Sequence, residues 1–290
     1  MLLALLLVPT MAPAQKLKVY ISVDMEGIAG VVTEQQLGPT GFEYARFREF
    51  MTAETLAAIA GARDAGAGEI VVSDSHGNMQ NLLIERFPAD VQIVRASPRP
   101  LSMMQGIDSS FDAVIFIGYH SGTHNPQGVR AHTMSSARYA AINLNGAPAS
   151  ESRVNAAIAG HYGVPVVLIS GDDVATAELR TTLGDVETAV VKKAIGFHSA
   201  LTSTPEAAQN LIRAKTKAAL ERRAAFKPYV VRNPVQLDLT FKSYRPAELL
   251  AYLPIVERTS SHAIRYSGRN ILDVMRFMVF VGSYSVELEP

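Results

Sequence analysis

The chain has 290 residues, 48% of them apolar, with 27 basic and 27 acidic side chains and no cysteine. That is enough to bury a substantial core, as one large domain or two moderate ones, and it excludes a disordered chain. Balanced charge without a long charged run leaves no electrostatic footprint for nucleic acid. The lack of cysteine suits an exported protein, although many cytosolic proteins share it.

The chain opens with MLLALLLVPTMAPAQ. Leu2 to Val8 form a short apolar run, and Ala12-Pro13-Ala14 before Gln15 has the small-x-small form of a cleavage site. Residues 1–15 therefore read as a signal peptide, although no Lys or Arg precedes the run. The bland counterpart is an apolar arm packed on a neighbour. The run is too short to span a bilayer, so no stable membrane insertion of the mature chain is expected. The expected location is periplasmic or extracellular, and cytoplasmic if residues 1–15 do not function as a signal.

From Lys16 onward, strand-like and helix-like segments alternate. LKVYISVDM is strand-like. Residues 42–65 carry Phe47, Phe50, Ala53, Leu56 and Ala60 at helical spacings and end before Gly66 and Gly68. Further apolar runs are EIVVSDSHG, VQIVRA (91–96), AVIFIGYH (113–120) and VPVVLISGDD (164–173). Short continuous apolar runs separated by helices predict a mainly parallel sheet flanked by helices, an α/β domain over residues 16–195. Beyond residue 196 the texture changes. An Ala/Lys/Arg-rich helix at 205–226, a strand-like VVRNPVQLDLTF, a short PAELLAYL helix and an apolar helix at 270–284 predict a smaller α+β C-terminal portion over 196–290.

Ligands of open parallel sheets bind beyond the carboxyl ends of the strands. Four of the runs carry acids or histidines there: Asp24 and Glu26, Asp74 and His76, His120, and Asp172 with Asp173. If the first strand runs through Asp24 and Glu26, both face the same way, and two like charges so close require a cation, a shared proton or water. Each residue also has a bland reading. Strand-end acids are often solvated or cap the next segment, His76 suits a capping role, and His120 a hydrogen-bonded one. Glu151, behind the N-cap candidate Ser150, suits the first turn of a helix. Asn155, one turn on, could orient Glu151 or contact substrate. Asp172 and Asp173 could bind a substrate amine, support a metal site or start a helix; a supporting role is favoured. His124 lies in a loop with Gly122, Pro126 and Gly128, which argue against a helical metal motif, and is not counted as a ligand.

Taken together, two histidines and three carboxylates suit two divalent ions, zinc first, which would activate water and polarise a carbonyl. A further histidine, His132, could move protons. There is no G-x-G-x-x-G, P-loop lysine or G-x-S-x-G.

SVDMEGIAG, DSHGNM, FIGYH, AHTMS, ESRVNA and GDD, in this order, resemble the zinc D-aminopeptidases of the dipeptide-transport-operon type. The resemblance runs from about Lys18 into the C-terminal region. It implies a metallopeptidase that releases N-terminal D-amino acids, such as D-Ala, from short peptides through a dinuclear-zinc-activated water. It also implies a self-compartmentalising, ring-stacked homo-oligomer such as a decamer. Asp24 matches the bridging ligand; Glu26, His76, His120 and Glu151 match the remaining metal ligands, and His132 the catalytic histidine. Residues 121–130 depart from the family pattern, which bears on substrate preference. The competing expectations are a metal-dependent amidohydrolase of other specificity and a non-catalytic envelope metal- or peptide-binding protein.

Overall fold

The computed structural model describes residues 16–284; the expected signal at residues 1–15 lies outside them. In chain order the main elements are β1 (Leu17–Val23), α1 (Tyr44–Asp64), β2 (Ala67–Asp74), β3 (Val91–Val94), β4 (Ala113–Tyr119), β5 (Tyr139–Leu144), β6 (Ala147–Pro148), α2 (Glu151–His161), β7 (Val166–Asp172), α3 (Asp173–Leu183), β8 (Glu187–Gly196) and β9 (Ser199–Thr202). They are followed by α4 (Pro205–Glu221), β10 (Val235–Phe241), α5 (Tyr244–Leu250), β11 (Val256–Arg258), β12 (Ala263–Gly268) and α6 (Ile271–Ser283).

Seven strands form a sheet of order β3-β2-β1-β4-β7-β8-β9, parallel except for the final β8–β9 pair. Every residue of β4 and β7 is buried, which is why both read as unbroken apolar runs. The two faces feed separate cores. Val19, Ile21 and Val23 of β1 join Ile115 and Ile117 of β4 under α1 and α4, whereas Tyr20, Val114 and Phe116 point to the other side, where α2 packs. The expected mainly parallel sheet flanked by helices is present.

The second sheet, order β11-β12-β10-β5-β6, is antiparallel throughout. β10 alternates buried and half-buried residues, the mark of a sheet covered on one face. Sheet membership does not change at residue 196. β5 and β6 precede that point but join the second sheet, while β9 and α4 come after it and belong with the first, α4 packing along α1.

Two local expectations change. The buried face of α1 is Phe47, Met51, Thr55, Ala58 and Ala62, whereas Phe50, Ala53, Leu56 and Ala60 are only half-buried. α4 packs closely along α1 at Gly61, where a Cβ would lie 2.4 Å from the Arg213 carbonyl oxygen. β1 stops at Val23 instead of running through Glu26. The chain then turns under β4, with the Asp24 N–H donating to Ile117 O at 2.8 Å and the Gly27 N–H to Gly118 O at 2.7 Å. Gly118 has φ +68°, and a Cβ there would lie 2.2 Å from the Asp24 carbonyl oxygen, so only glycine permits this approach.

Candidate metal centre

Asp24 comes one residue after β1, His76 two after β2, and His120 one after β4. These strands are neighbours in the order β2-β1-β4, so their carboxyl ends open on one place. Glu151 is the first residue of α2; Ser150 caps that helix, its side chain accepting from the Arg153 N–H. The expected convergence of Asp24, Glu26, His76, His120 and Glu151 is real, and all five side chains are buried.

Donor atoms of Asp24, Glu26 and His76 lie within 4.8 Å of one another, as do those of Asp24, His120 and Glu151. Asp24 belongs to both groups, and its two oxygens divide between them: Oδ1 is 3.3 Å from His76 Nδ1, and Oδ2 is 3.2 Å from His120 Nε2. His76 Nδ1 is also 2.9 Å from Glu26 Oε2, and His120 Nε2 is 3.4 Å from Glu151 Oε2. A third group joins Glu26, His120 and His132.

The far nitrogen of each imidazole fixes its tautomer. His76 Nε2 donates to Leu37 O at 2.7 Å, His120 Nδ1 to Ser121 O at 3.0 Å and His132 Nδ1 to Arg130 O at 2.9 Å. A carbonyl only accepts, so the proton sits there and the other nitrogen turns a lone pair to the carboxylates. Lone pairs facing anions in a buried site require positive charge, as protons or as metal ions. Asp24 Oδ2 and His120 Nε2, though close, make no hydrogen bond and are buried. Two orphaned donor atoms of metal-binding type, amid three carboxylates, fit divalent cations of zinc's ligand preference.

The metal-free electrostatics carry the same demand. Burial and the adjacent Glu26 charge push the Asp24 carboxyl above its ordinary value, against the opposing pull of His120 and His76. Burial would raise Glu26 too, but His76 outweighs it and holds Glu26 well below the usual carboxylate range. His76 and His120, which burial alone would depress, are held well above the ordinary imidazole value by Glu26 and Glu151 respectively. The centre stores positive charge in whatever form it is supplied.

Other sequence candidates lie elsewhere. Asp172 caps α3, accepting from the Ala175 N–H at 2.6 Å, and holds the Val129 N–H at 2.8 Å; Asp173 accepts from the Ala194 N–H. His124 faces Glu178 at 3.7 Å, outside the centre. Asn155 does not touch Glu151; its Nδ2 donates to the Tyr119 hydroxyl at 2.9 Å. Glu151 is held instead by the Met134 N–H, 2.7 Å from its Oε1.

Sequence reasoning missed Lys192 and Glu54. Lys192, on β8, is buried and donates from Nζ to three carbonyls of the turn that carries Glu26: those of Glu26 (2.5 Å), Ile28 (3.0 Å) and Val31 (2.6 Å). Burial lowers its pKa to about 8, against the pull of Asp172, Glu54 and Glu26. Glu54, on α1, accepts from the Ala29 N–H of the same turn at 2.9 Å, and burial raises its carboxyl to about 7. A lysine in VVKKAIG and a glutamate inside a helix look like surface charges; nothing in their spacing reveals burial.

The Peptidase_M55 family, D-aminopeptidase, matches residues 17–280 of this chain. The chain belongs to the M55 D-aminopeptidase family. It is 33% identical over 265 residues to the D-aminopeptidase of Bacillus subtilis (strain 168), spanning 91% of this chain and 96% of that relative. Its fold superposes with a TM-score of 0.88 on the Zn-dependent D-aminopeptidase DppA from Bacillus subtilis, a self-compartmentalizing protease, at 30% identity. That match covers 94% of this chain and all of the other. M55 membership makes the chain a metallo-aminopeptidase by family and confirms the α/β architecture expected from the sequence.

Proposed function

We propose that this chain is a dinuclear zinc exopeptidase releasing N-terminal D-amino acids, such as D-Ala, from short peptides. The observation that carries this reading is the division of Asp24, one oxygen toward His76 and Glu26 and the other toward His120 and Glu151. Asp24 would bridge two ions, one held with Glu26 and His76, the other with His120 and Glu151. Bound zinc would supply Lewis acidity toward the scissile carbonyl and lower the pKa of water.

The chain's own groups do the rest. His132 keeps its Nδ1 proton on Arg130 O, which leaves Nε2, 3.7 Å from Glu151 Oε1, to accept a proton and deliver it to the departing amine. Its N–H donates to Ser121 O at 3.1 Å, so the loop carrying it is tied to the residue after His120. The burial of the five proposed ligands keeps bulk water from competing with the substrate carbonyl. The zinc dependence and self-compartmentalising assembly of the Bacillus subtilis relative support zinc here and a ring-stacked homo-oligomer. Export through residues 1–15 is part of the proposal; a periplasmic or secreted protein whose N-terminus begins after Ala14 is the expected product, and a cytosolic one with residue 1 retained refutes it.

The test is release of D-Ala and L-Ala from matched short peptides, with added zinc and after chelation. Zinc-dependent cleavage of the D-peptide alone is expected. Cleavage of non-peptide amides in its place would make the chain an amidohydrolase of other specificity. Metal binding with no turnover of any would make it a binding protein.

A further inference from the structure

A cavity of about 310 Å³ opens beside the metal centre, and two guanidinium groups, Arg99 and Arg138, line it while no Asp or Glu does. Its wall is tied to the centre through the backbone of its lining residues. Gly77 is the neighbour of His76 in the chain, the Met79 N–H donates to His76 O at 2.7 Å, and Met134 holds Glu151 through its own N–H. With its scissile carbonyl at the metal centre, a substrate therefore has this cavity to receive the portion on the C-terminal side of the cleaved bond.

Arg99 is 7% exposed. Its Nε donates to Ser102 O at 2.8 Å, and its Nη2 to Ser73 Oγ at 2.9 Å and Asp74 O at 2.6 Å. All three acceptors are neutral, and Nη1 has no partner at all. A buried guanidinium whose hydrogen bonds all go to neutral acceptors, with Nη1 unspent and the Asp74 charge as its acidic neighbour, still favours an anion in the cavity. Arg138, exposed at the cavity's other side, gives Nη1 to the Gly282 carbonyl, another neutral acceptor. Met79, Met134, Met275 and Met278 supply an adaptable apolar part of the wall, beside the polar Ser97, Ser102 and Ser135.

We propose that this cavity binds the C-terminal carboxylate of the substrate, with Arg99 and Arg138 as the recognising charges, and so restricts the enzyme to very short peptides with a free C-terminus. The inference rests on the peptidase reading above. A volume of about 310 Å³, at the small end of ligand sites, accommodates one or two residues beyond the cleaved bond. Guanidinium suits this task because its fork matches a carboxylate and it stays charged at any working pH.

The experiment compares D-Ala-D-Ala with its C-terminal amide on the zinc-loaded full protein, in wild type, Arg138→Ala and Arg99→Lys. The free acid is expected to have a kcat/KM at least about tenfold above the amide's, the worth of one charge-assisted hydrogen bond. Both variants should bring that ratio toward one, by raising KM for the acid with little change in its kcat. Arg99→Lys keeps the charge and loses the fork, so its ratio should fall between those of wild type and Arg138→Ala. Calorimetric titration of the same two ligands into zinc-loaded His132→Ala reads the cavity without turnover. Equal kcat/KM for acid and amide, or a parallel loss of both in the variants, overturns the inference. If neither ligand is cleaved, the peptidase reading fails, and the calorimetric preference for acid over amide decides the carboxylate site by itself.

Discussion

His120 and His132 lie face to face, their ring centroids 4.1 Å apart and their planes 9° from parallel. Stacking fixes the distance between a proposed metal ligand and the proposed proton carrier without a bond between them. Replacing His132 with Ala removes the carrier and leaves the Asp24, Glu26, His76, His120 and Glu151 donors in place. Turnover should fall by about 10²–10⁴-fold, while zinc content measured by elemental analysis stays at the wild-type value. Loss of zinc along with activity would make His132 a ligand.

Lys192 satisfies three buried carbonyls of the turn that carries Glu26. Lys192→Met keeps the stem and leaves the Glu26 and Val31 carbonyls without their donor, each costing about 1–3 kcal/mol, while Ile28 O keeps the Val31 N–H. The melting temperature should drop, and zinc affinity should weaken about 10–100-fold, the usual consequence of losing a group that orients a ligand. Unchanged zinc affinity in a destabilised variant would show that Lys192 supports the fold alone.

Glu54 gives a pH signature. Its folded pKa of about 7 exceeds the ordinary 4.5, so between those values the folded chain holds a proton that the unfolded chain has lost. The corresponding stability is complete below pH 4.5 and disappears as pH rises through 7. Glu54→Gln keeps an oxygen for the Ala29 N–H and removes the titration. The stability difference between wild type and this variant should shift by about 3 kcal/mol in favour of the variant from below pH 4.5 to above 7. A difference independent of pH, read by denaturant melts, would contradict the buried titration.

Chelation should destabilise the fold as well as stop turnover. Zinc at about a hundred times its dissociation constant contributes about 2.7 kcal/mol through binding the folded state alone. Scanning calorimetry of the chelated protein should show a lower melting temperature, restored by zinc and not by magnesium. A melt insensitive to zinc would remove the metal from the account.

The strands were legible because burial on both faces leaves only apolar residues, as in AVIFIGY of β4. The site was legible because strand ends concentrate polar residues: Asp24, His76 and His120 stand out against the runs that lead to them. The stop of β1 at Val23 was not, since Gly27 and Gly118 act through a backbone approach that no local pattern encodes. Nor was the place of β5, whose partner β10 lies about ninety residues away and whose own alternation says nothing of which sheet it joins. Contacts with a turn distant in the sequence hid Lys192 and Glu54 in the same way. Local rules register what a residue is, while these roles depend on what arrives later in the chain.

That late arrival has a consequence for synthesis. Leu144 of β5 is opposite Leu237 of β10, and the hairpin of β5 and β6 leads directly into Glu151. Asp24, Glu26, His76 and His120 can come together once the first strands pair, and α2 can pack on β4, but the β5 edge of the segment delivering Glu151 meets its partner strand only after residue 241 has been made. A nascent chain thus holds the strand before Glu151 on an unpaired sheet edge until β10 is made. The shape of the donor set therefore rests on a strand made long after the donors themselves.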